Sequence, residues 1–150
     1  MKKQFLPLML LASAICSCSE KQPETTEPMI TKTEIQVENG HFTPEIMHRL
    51  GKVGDVQVSP NHAKILYGVT YTSIEQNKGN RELYLMNVDG SENVKITNTP
   101  KSESNARWIN DSQIIYMRSG KLYTATIEGS TLKNEKEVAG AEGMEGFELS

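Results

Sequence analysis

The sequence predicts an all-β fold, a partial β-propeller of about two four-stranded blades and the start of a third, preceded by a signal segment, a flexible tether and one short helix. Three observations predict it. Beyond Val53 apolar residues alternate with polar ones over short runs, which is the period of half-buried strands. Turn signals close these runs at Ser59-Pro60-Asn61-His62, Asp89-Gly90, Asn110-Asp111-Ser112 and Glu128-Gly129, residue types that suit chain reversal. The runs also repeat: Leu83-Tyr84 returns as Leu122-Tyr123, and Ile65-Leu66-Tyr67 as Ile114-Ile115-Tyr116. A repeat of about 40 to 45 residues with four short strands is the signature of a propeller blade.

The first element, residues 1–18, reads as a lipoprotein-type signal peptide. Lys2 and Lys3 precede an apolar run from Phe5 to Ile15, too short for the roughly 20 apolar residues of a membrane-spanning helix. Ile15-Cys16-Ser17-Cys18 resembles the end of a bacterial lipoprotein signal, with Cys18 as the lipid anchor. The mature chain is therefore expected outside the cytoplasm, in the cell envelope, as a periplasmic or outer-membrane lipoprotein. Cys16 and Cys18 are its two cysteines, so processing leaves no pair for a disulfide and no cysteine set for a metal.

Residues 19–40 mix Glu20, Glu24, Glu27 and Glu34 with threonines and two prolines. Few large apolar residues interrupt them, so burial cannot offset the entropy of ordering, and a flexible linker is expected. Residues 41–52 form a short helical lead-in: Thr43 as N-cap, Pro44 at the first helical position, Glu45 in the first turn and Gly51 as a stop.

Residues 53–150 carry the partial propeller. The first blade, 53–98, begins with Val56 and Val58 alternating with Asp55 and Gln57. Ile65–Tyr71 follows as a second strand, Glu75–Asn80 as a loop, Glu82–Val88 as a third strand and Val94–Thr97 as a fourth. The second blade, 103–138, contains strands at Ala106–Ile109, Gln113–Met117 and Lys121–Ile127. A further blade starts within 144–150, where Gly146-Phe147-Glu148-Leu149-Ser150 matches Asp55-Val56-Gln57-Val58-Ser59. This alignment places Gln57, Trp108 and Glu148 at equivalent positions.

Val58-Ser59-Pro60-Asn61, Lys64-Ile65-Leu66-Tyr67, Leu83-Tyr84-Leu85-Met86-Asn87-Val88-Asp89-Gly90-Ser91 and Lys95-Ile96-Thr97 together resemble the TolB-like propeller repeat, shared by the prolyl oligopeptidase family of serine peptidases. The lead-in Phe42-Thr43-Pro44-Glu45, with Arg81-Glu82-Leu83, is similar to the N-terminal region of exported bacterial enzymes of the dipeptidyl peptidase V and acyl-peptide hydrolase type. The repeat departs from its usual Asp-Gly turn at Asn61-His62, and from Ser-Pro at Asn110-Asp111. The resemblance implies a propeller that gates access to a separate α/β-hydrolase domain of the same parent protein, with peptide substrates reaching that domain through it. It also allows an alternative, a stand-alone propeller lipoprotein that mediates protein–protein binding in the envelope.

No catalytic residue, cofactor or metal site is expected in this chain. No Gly-x-Ser-x-Gly nucleophile elbow occurs in the sequence, so the chain is predicted to be inactive alone. His41, His48 and His62 lie beside turns or on the short helix, which suits surface histidines better than a catalytic base. Asp55, Asp89, Asp111 and Glu128 sit at turns, where backbone bonding explains them. Trp108 reads as a packing residue between blades, and Gly140, Gly143 and Gly146 as a connector. Arg81 and Glu82 read as a solvated strand start in preference to residues facing a central channel. A net charge of −3 with scattered basic residues excludes nucleic acid as a partner, and removal of Lys2 and Lys3 makes the chain more acidic still.

Overall fold

A computed structural model of the chain describes residues 28–149. The signal segment with Cys18, and residues 19–27 of the linker, lie outside the described residues. Residues 28–37 have no regular structure, and a 3-10 turn follows at Glu38–Gly40. Ile30 and Ile35 are half-buried. Helix α1 spans Pro44–Arg49, with Thr43 as N-cap accepting the Ile46 N–H at 3.4 Å, as its cap chemistry predicts. It packs on the second strand.

Eight strands follow in two antiparallel sheets of four, each in sequence order. The first sheet holds β1 (Lys52–Val58), β2 (Lys64–Ser73), β3 (Lys78–Asn87) and β4 (Val94–Lys95). The second holds β5 (Glu103–Trp108), β6 (Gln113–Arg118), β7 (Lys121–Glu128) and β8 (Thr131–Glu137). The expected all-β chain with two four-stranded units is therefore present. Three details differ from expectation. The β2–β3 connection shortens to residues 74–77, because Lys78, Gly79 and Asn80 pair with Ser73, Thr72 and Tyr71. Strand β4 stops at Lys95, although Ile96 still donates to the Leu83 carbonyl at 2.8 Å. Residues 145–149 form no strand, although Phe147 packs on the outer face of the second sheet with Val138 and Met144, against Ile115, Met117, Leu122 and Ala141.

The two sheets share one core. Leu66, Leu83 and Leu85 from the first meet Ala106, Trp108, Ile114, Tyr116, Ala125 and Ile127 from the second. Alternation explains the division of labour: Ile114 and Tyr116 face the first sheet, whereas Ile115 and Met117 face away from it.

The first strands of the two sheets, β1 and β5, meet at the seam between them. Each contains a β-bulge, between Gly54 and Gln57 and between Ser104 and Arg107. Asp55 and Asn105 occupy left-handed backbone there, with φ of 52° and 51°, a conformation that Asp and Asn tolerate better than most side chains. The bulges meet, since the Asn105 N–H donates to Asp55 Oδ2 at 3.3 Å. Two further bonds tie the same strands and turns: Trp108 Nε1–H to the Gln57 carbonyl at 3.4 Å, and the Asn61 N–H to Asp111 Oδ1 at 2.8 Å.

Candidate functional site

The charged residues that the fold gathers lie along the seam, in two clusters. The first is built around Arg81. Gly54 of β1 and Gly68 of β2 are register partners, and together they leave a patch of sheet without side chains. The Arg81 guanidinium lies on that patch: a Cβ added to Gly68 would stand 2.2 Å from Nε, and one added to Gly54 would stand 2.8 Å from Nη2. Arg81 Nη2 is 2.9 Å from Asp55 Oδ2, which is ion-pair distance, yet neither Nε nor Nη2 completes a hydrogen bond. The pair is close but not aligned. Asp55 thus serves Arg81 and the Asn105 N–H together, linking three strands of both sheets.

The second cluster lies at the β4–β5 connection. Glu82 is 2% exposed; its carboxylate accepts the Thr97 hydroxyl at 2.7 Å, the Thr99 N–H at 3.1 Å and the Asn80 amide at 3.2 Å. Glu103 is 0% exposed, and its Oε1 accepts Arg118 Nε at 2.7 Å and the Thr99 hydroxyl at 2.8 Å. Its Oε2 has no partner. Arg118 also bonds both oxygens of Glu135, at 2.8 and 3.0 Å, and lies over the rings of Tyr116 and Tyr123. The Tyr116 hydroxyl donates to Glu135 as well.

Burial pushes the Glu103 carboxyl above its ordinary value, against the opposing pull of Thr99 and Arg118. The hydrogen bond from Arg118 holds Glu135 below its ordinary value despite burial. Burial likewise raises Tyr116, helped by its bond to Glu135. These shifts arise from a packed ion network whose members mostly satisfy one another, an arrangement that orders a seam.

The hydroxyl–carboxylate contacts of the second cluster hold the backbone in place: Thr97 also accepts the Leu83 N–H, and Thr99 also bonds the Lys101 carbonyl. His41, His48 and His62 are exposed, as expected. The Ser59 hydroxyl bonds Asn61 Oδ1 and accepts the Lys64 N–H, which is turn chemistry. Among the described residues no group of three or more His, Cys, Asp or Glu is placed to hold a metal ion. Asp89 is a turn residue accepting from Ser91. Glu128 is exposed at the end of β7. Asp111 and Asp55 do more than local bonding, since each reaches the other sheet's strands or turns. Trp108 is buried in the shared core, as a packing residue should be. Gly140 and Gly143 hold positive φ in the connector after β8, and the Gly143 N–H bonds the Gly120 carbonyl at 2.8 Å.

The expected solvated strand start at Arg81-Glu82 is corrected: Glu82 is buried, and Arg81 is mostly covered against the sheet. The signal that could have located Arg81 is the glycine pair at 54 and 68, which makes sense only once β1 and β2 are in register. Glu103 gave no sequence signal, because a lone Glu before a strand usually marks a solvated position.

No protein-family model matches the chain. Over 81 residues, 54% of this chain and 12% of that protein, it is 33% identical to Dipeptidyl-peptidase 5 of Porphyromonas gingivalis. Over 97 residues, 65% of this chain and 13% of that protein, it is 30% identical to Dipeptidyl-peptidase 5 of Porphyromonas endodontalis. The chain thus spans about an eighth of the length of these relatives, and that partial similarity supports a relation to dipeptidyl peptidases.

Proposed function

We propose that the chain is the N-terminal propeller portion of an exported serine peptidase of the prolyl oligopeptidase family, of dipeptidyl- or acylaminoacyl-peptidase type. The observation that carries this reading is the 33% identity with a dipeptidyl-peptidase over 81 residues. The architecture supports it: two four-stranded antiparallel sheets follow one another in sequence order, and β5, which opens the second, packs against the first. Repetition of that step around an axis generates a propeller. In this reading β1 and β5 line its channel, and the blades limit which peptides reach a hydrolase domain elsewhere in the parent protein. Cys18 carries the lipid that holds the assembly to the cell envelope. The chain contributes access control, and the hydrolase supplies nucleophile, base and oxyanion hole.

The coding sequence beyond Ser150 tests this. Further four-stranded repeats followed by an in-frame Gly-x-Ser-x-Gly region are expected. Repeats followed by a stop would replace the peptidase reading with that of an envelope binding protein. The purified chain should also release no dipeptide from a chromogenic dipeptidyl substrate, and turnover by it would contradict the division of labour proposed here.

A further inference from the structure

A reactive pair of residues lies outside the sheets, where the fold does not restrain it. Asn39 is the one asparagine followed by glycine, and Asp89 the one aspartate so followed. Glycine has no Cβ, so its amide nitrogen is open to the side-chain carbonyl carbon of the residue before it. Attack there closes a five-membered imide, and the structure treats the two pairs differently. Asp89-Gly90 is held shut: Asp89 Oδ1 accepts the Ser91 N–H at 2.9 Å and the Ser91 hydroxyl at 2.6 Å, and the Gly90 N–H donates to the Asn87 carbonyl at 2.9 Å. The bonds from Ser91 also hold the Asp89 carboxyl below its ordinary value, and an ionised carboxylate is a poor electrophile.

Asn39-Gly40 has none of these ties. The pair forms the centre of a turn closed by one bond, from the His41 N–H to the Glu38 carbonyl at 3.2 Å. Their φ angles of 54° and 71° are the left-handed pair that an Asn-Gly turn favours. In a hairpin two strands would clamp such a turn, but here residues 28–37 have no regular structure and α1 starts only at Pro44. Glu38, Asn39 and Gly40 are all exposed. A Cβ added to Gly40 would meet nothing within 4 Å, and the Asn39 amide has no partner among the described residues. Breaking one exposed bond therefore frees the backbone to bring the Gly40 nitrogen onto Asn39 Cγ. Every other asparagine precedes a residue with a side chain, and Asn61, Asn87 and Asn110 spend theirs on turn bonds.

We propose that Asn39 is a site of spontaneous modification, converting through a succinimide to aspartate and isoaspartate. The Gly40 N–H gives its proton to solvent base, the N–Cγ bond forms, the Cγ–Nδ2 bond breaks and ammonia leaves. Water then opens either carbonyl of the imide. The product carries a new carboxylate and, in the iso form, one extra main-chain carbon, just before the Thr43 cap of α1. The site rests on this turn alone and is independent of the peptidase reading.

Peptide mapping of the full chain, aged in mildly alkaline buffer, tests this. The tryptic peptide of residues 33–49 contains Asn39 as its single asparagine. It should gain the mass of OH in place of NH2, located at position 39 by fragmentation, and elute as two products. Conversion in the native chain should run within about fivefold of that in chain unfolded by guanidinium chloride, the cost of opening one exposed hydrogen bond. Asp89, seen as an isomer of unchanged mass in the peptide of residues 82–95, should by contrast convert at least about tenfold more slowly in the native chain than in the unfolded one. Gly40→Ala should slow conversion of Asn39 at least about tenfold, by placing a methyl group beside the attacking nitrogen. An unmodified 33–49 peptide from the native chain, whether or not the unfolded chain converts, overturns the proposal, and so does conversion that Gly40→Ala leaves unchanged.

Discussion

Arg81 is held across two strands because the residues beneath it have no side chains. Gly68→Ala would place a Cβ 2.2 Å from Nε, forcing the guanidinium off its patch and away from Asp55. The expected cost is about 1–3 kcal/mol, typical of overpacking, measured by urea denaturation. In an Arg81→Ala background the same substitution should cost much less, because the clashing group is gone; equal costs in both backgrounds would contradict the cradle. Glu103 supplies a pH-dependent term. Its carboxyl is raised by burial above the ordinary 4.5, so the folded state binds the proton more tightly than the unfolded chain. The associated stability is full below pH 4.5 and is lost as pH rises through the folded value. Glu103→Gln cannot lose it, so the variant's stability relative to the parent should rise as pH is raised above 4.5; a fall would contradict the assignment. Neither residue was legible beforehand. A glycine pair separated in sequence acquires meaning only when register brings it together, and Glu103 looks like any polar residue at a strand start.

Strands are the most legible elements, because short runs of β-branched, aromatic or alternating apolar residues stand between turn signals. Ile65–Tyr71 is a short run rich in β-branched and aromatic residues, Lys121–Ile127 alternates more nearly with a period of two, and both lie within strands of the structure. Strand β8 was not legible, because Thr131–Glu137 contains one large apolar residue, Leu132, and reads as a charged loop. Its Lys133, Glu135, Lys136 and Glu137 suit an edge strand, where charge discourages pairing with other chains. Strand β4 ends at Lys95, short of the expected Thr97, for a different reason. Thr97 continues the sheet through its side chain: its hydroxyl oxygen accepts the Leu83 N–H at 2.8 Å and its hydroxyl hydrogen goes to Glu82. Thr97→Val keeps the shape and leaves both buried groups without that partner, so a loss of about 2 kcal/mol is expected in urea denaturation. A neutral substitution would show that solvent replaces the hydroxyl at this position.

At the scale of the whole molecule, the repeat in the sequence foretold two successive sheets, while their packing needed the structure. Bulges at Asp55 and Asn105, the Trp108–Gln57 bond and the Asn61–Asp111 bond make the sheet-to-sheet joint specific. None of these contacts follows from strand periodicity, because each joins residues about a whole repeat apart. Strand β1 leaves Val53, Val56 and Val58 exposed, an apolar strip that the further blades of the proposed propeller would cover. The most direct measurement is a structure of the whole gene product from which this chain comes. The account predicts additional four-stranded sheets continuing in sequence around an axis lined by β1 and β5, with a hydrolase domain seated over the channel. Closure of these two sheets into a self-contained sandwich, with no further blades and no hydrolase domain, would contradict it.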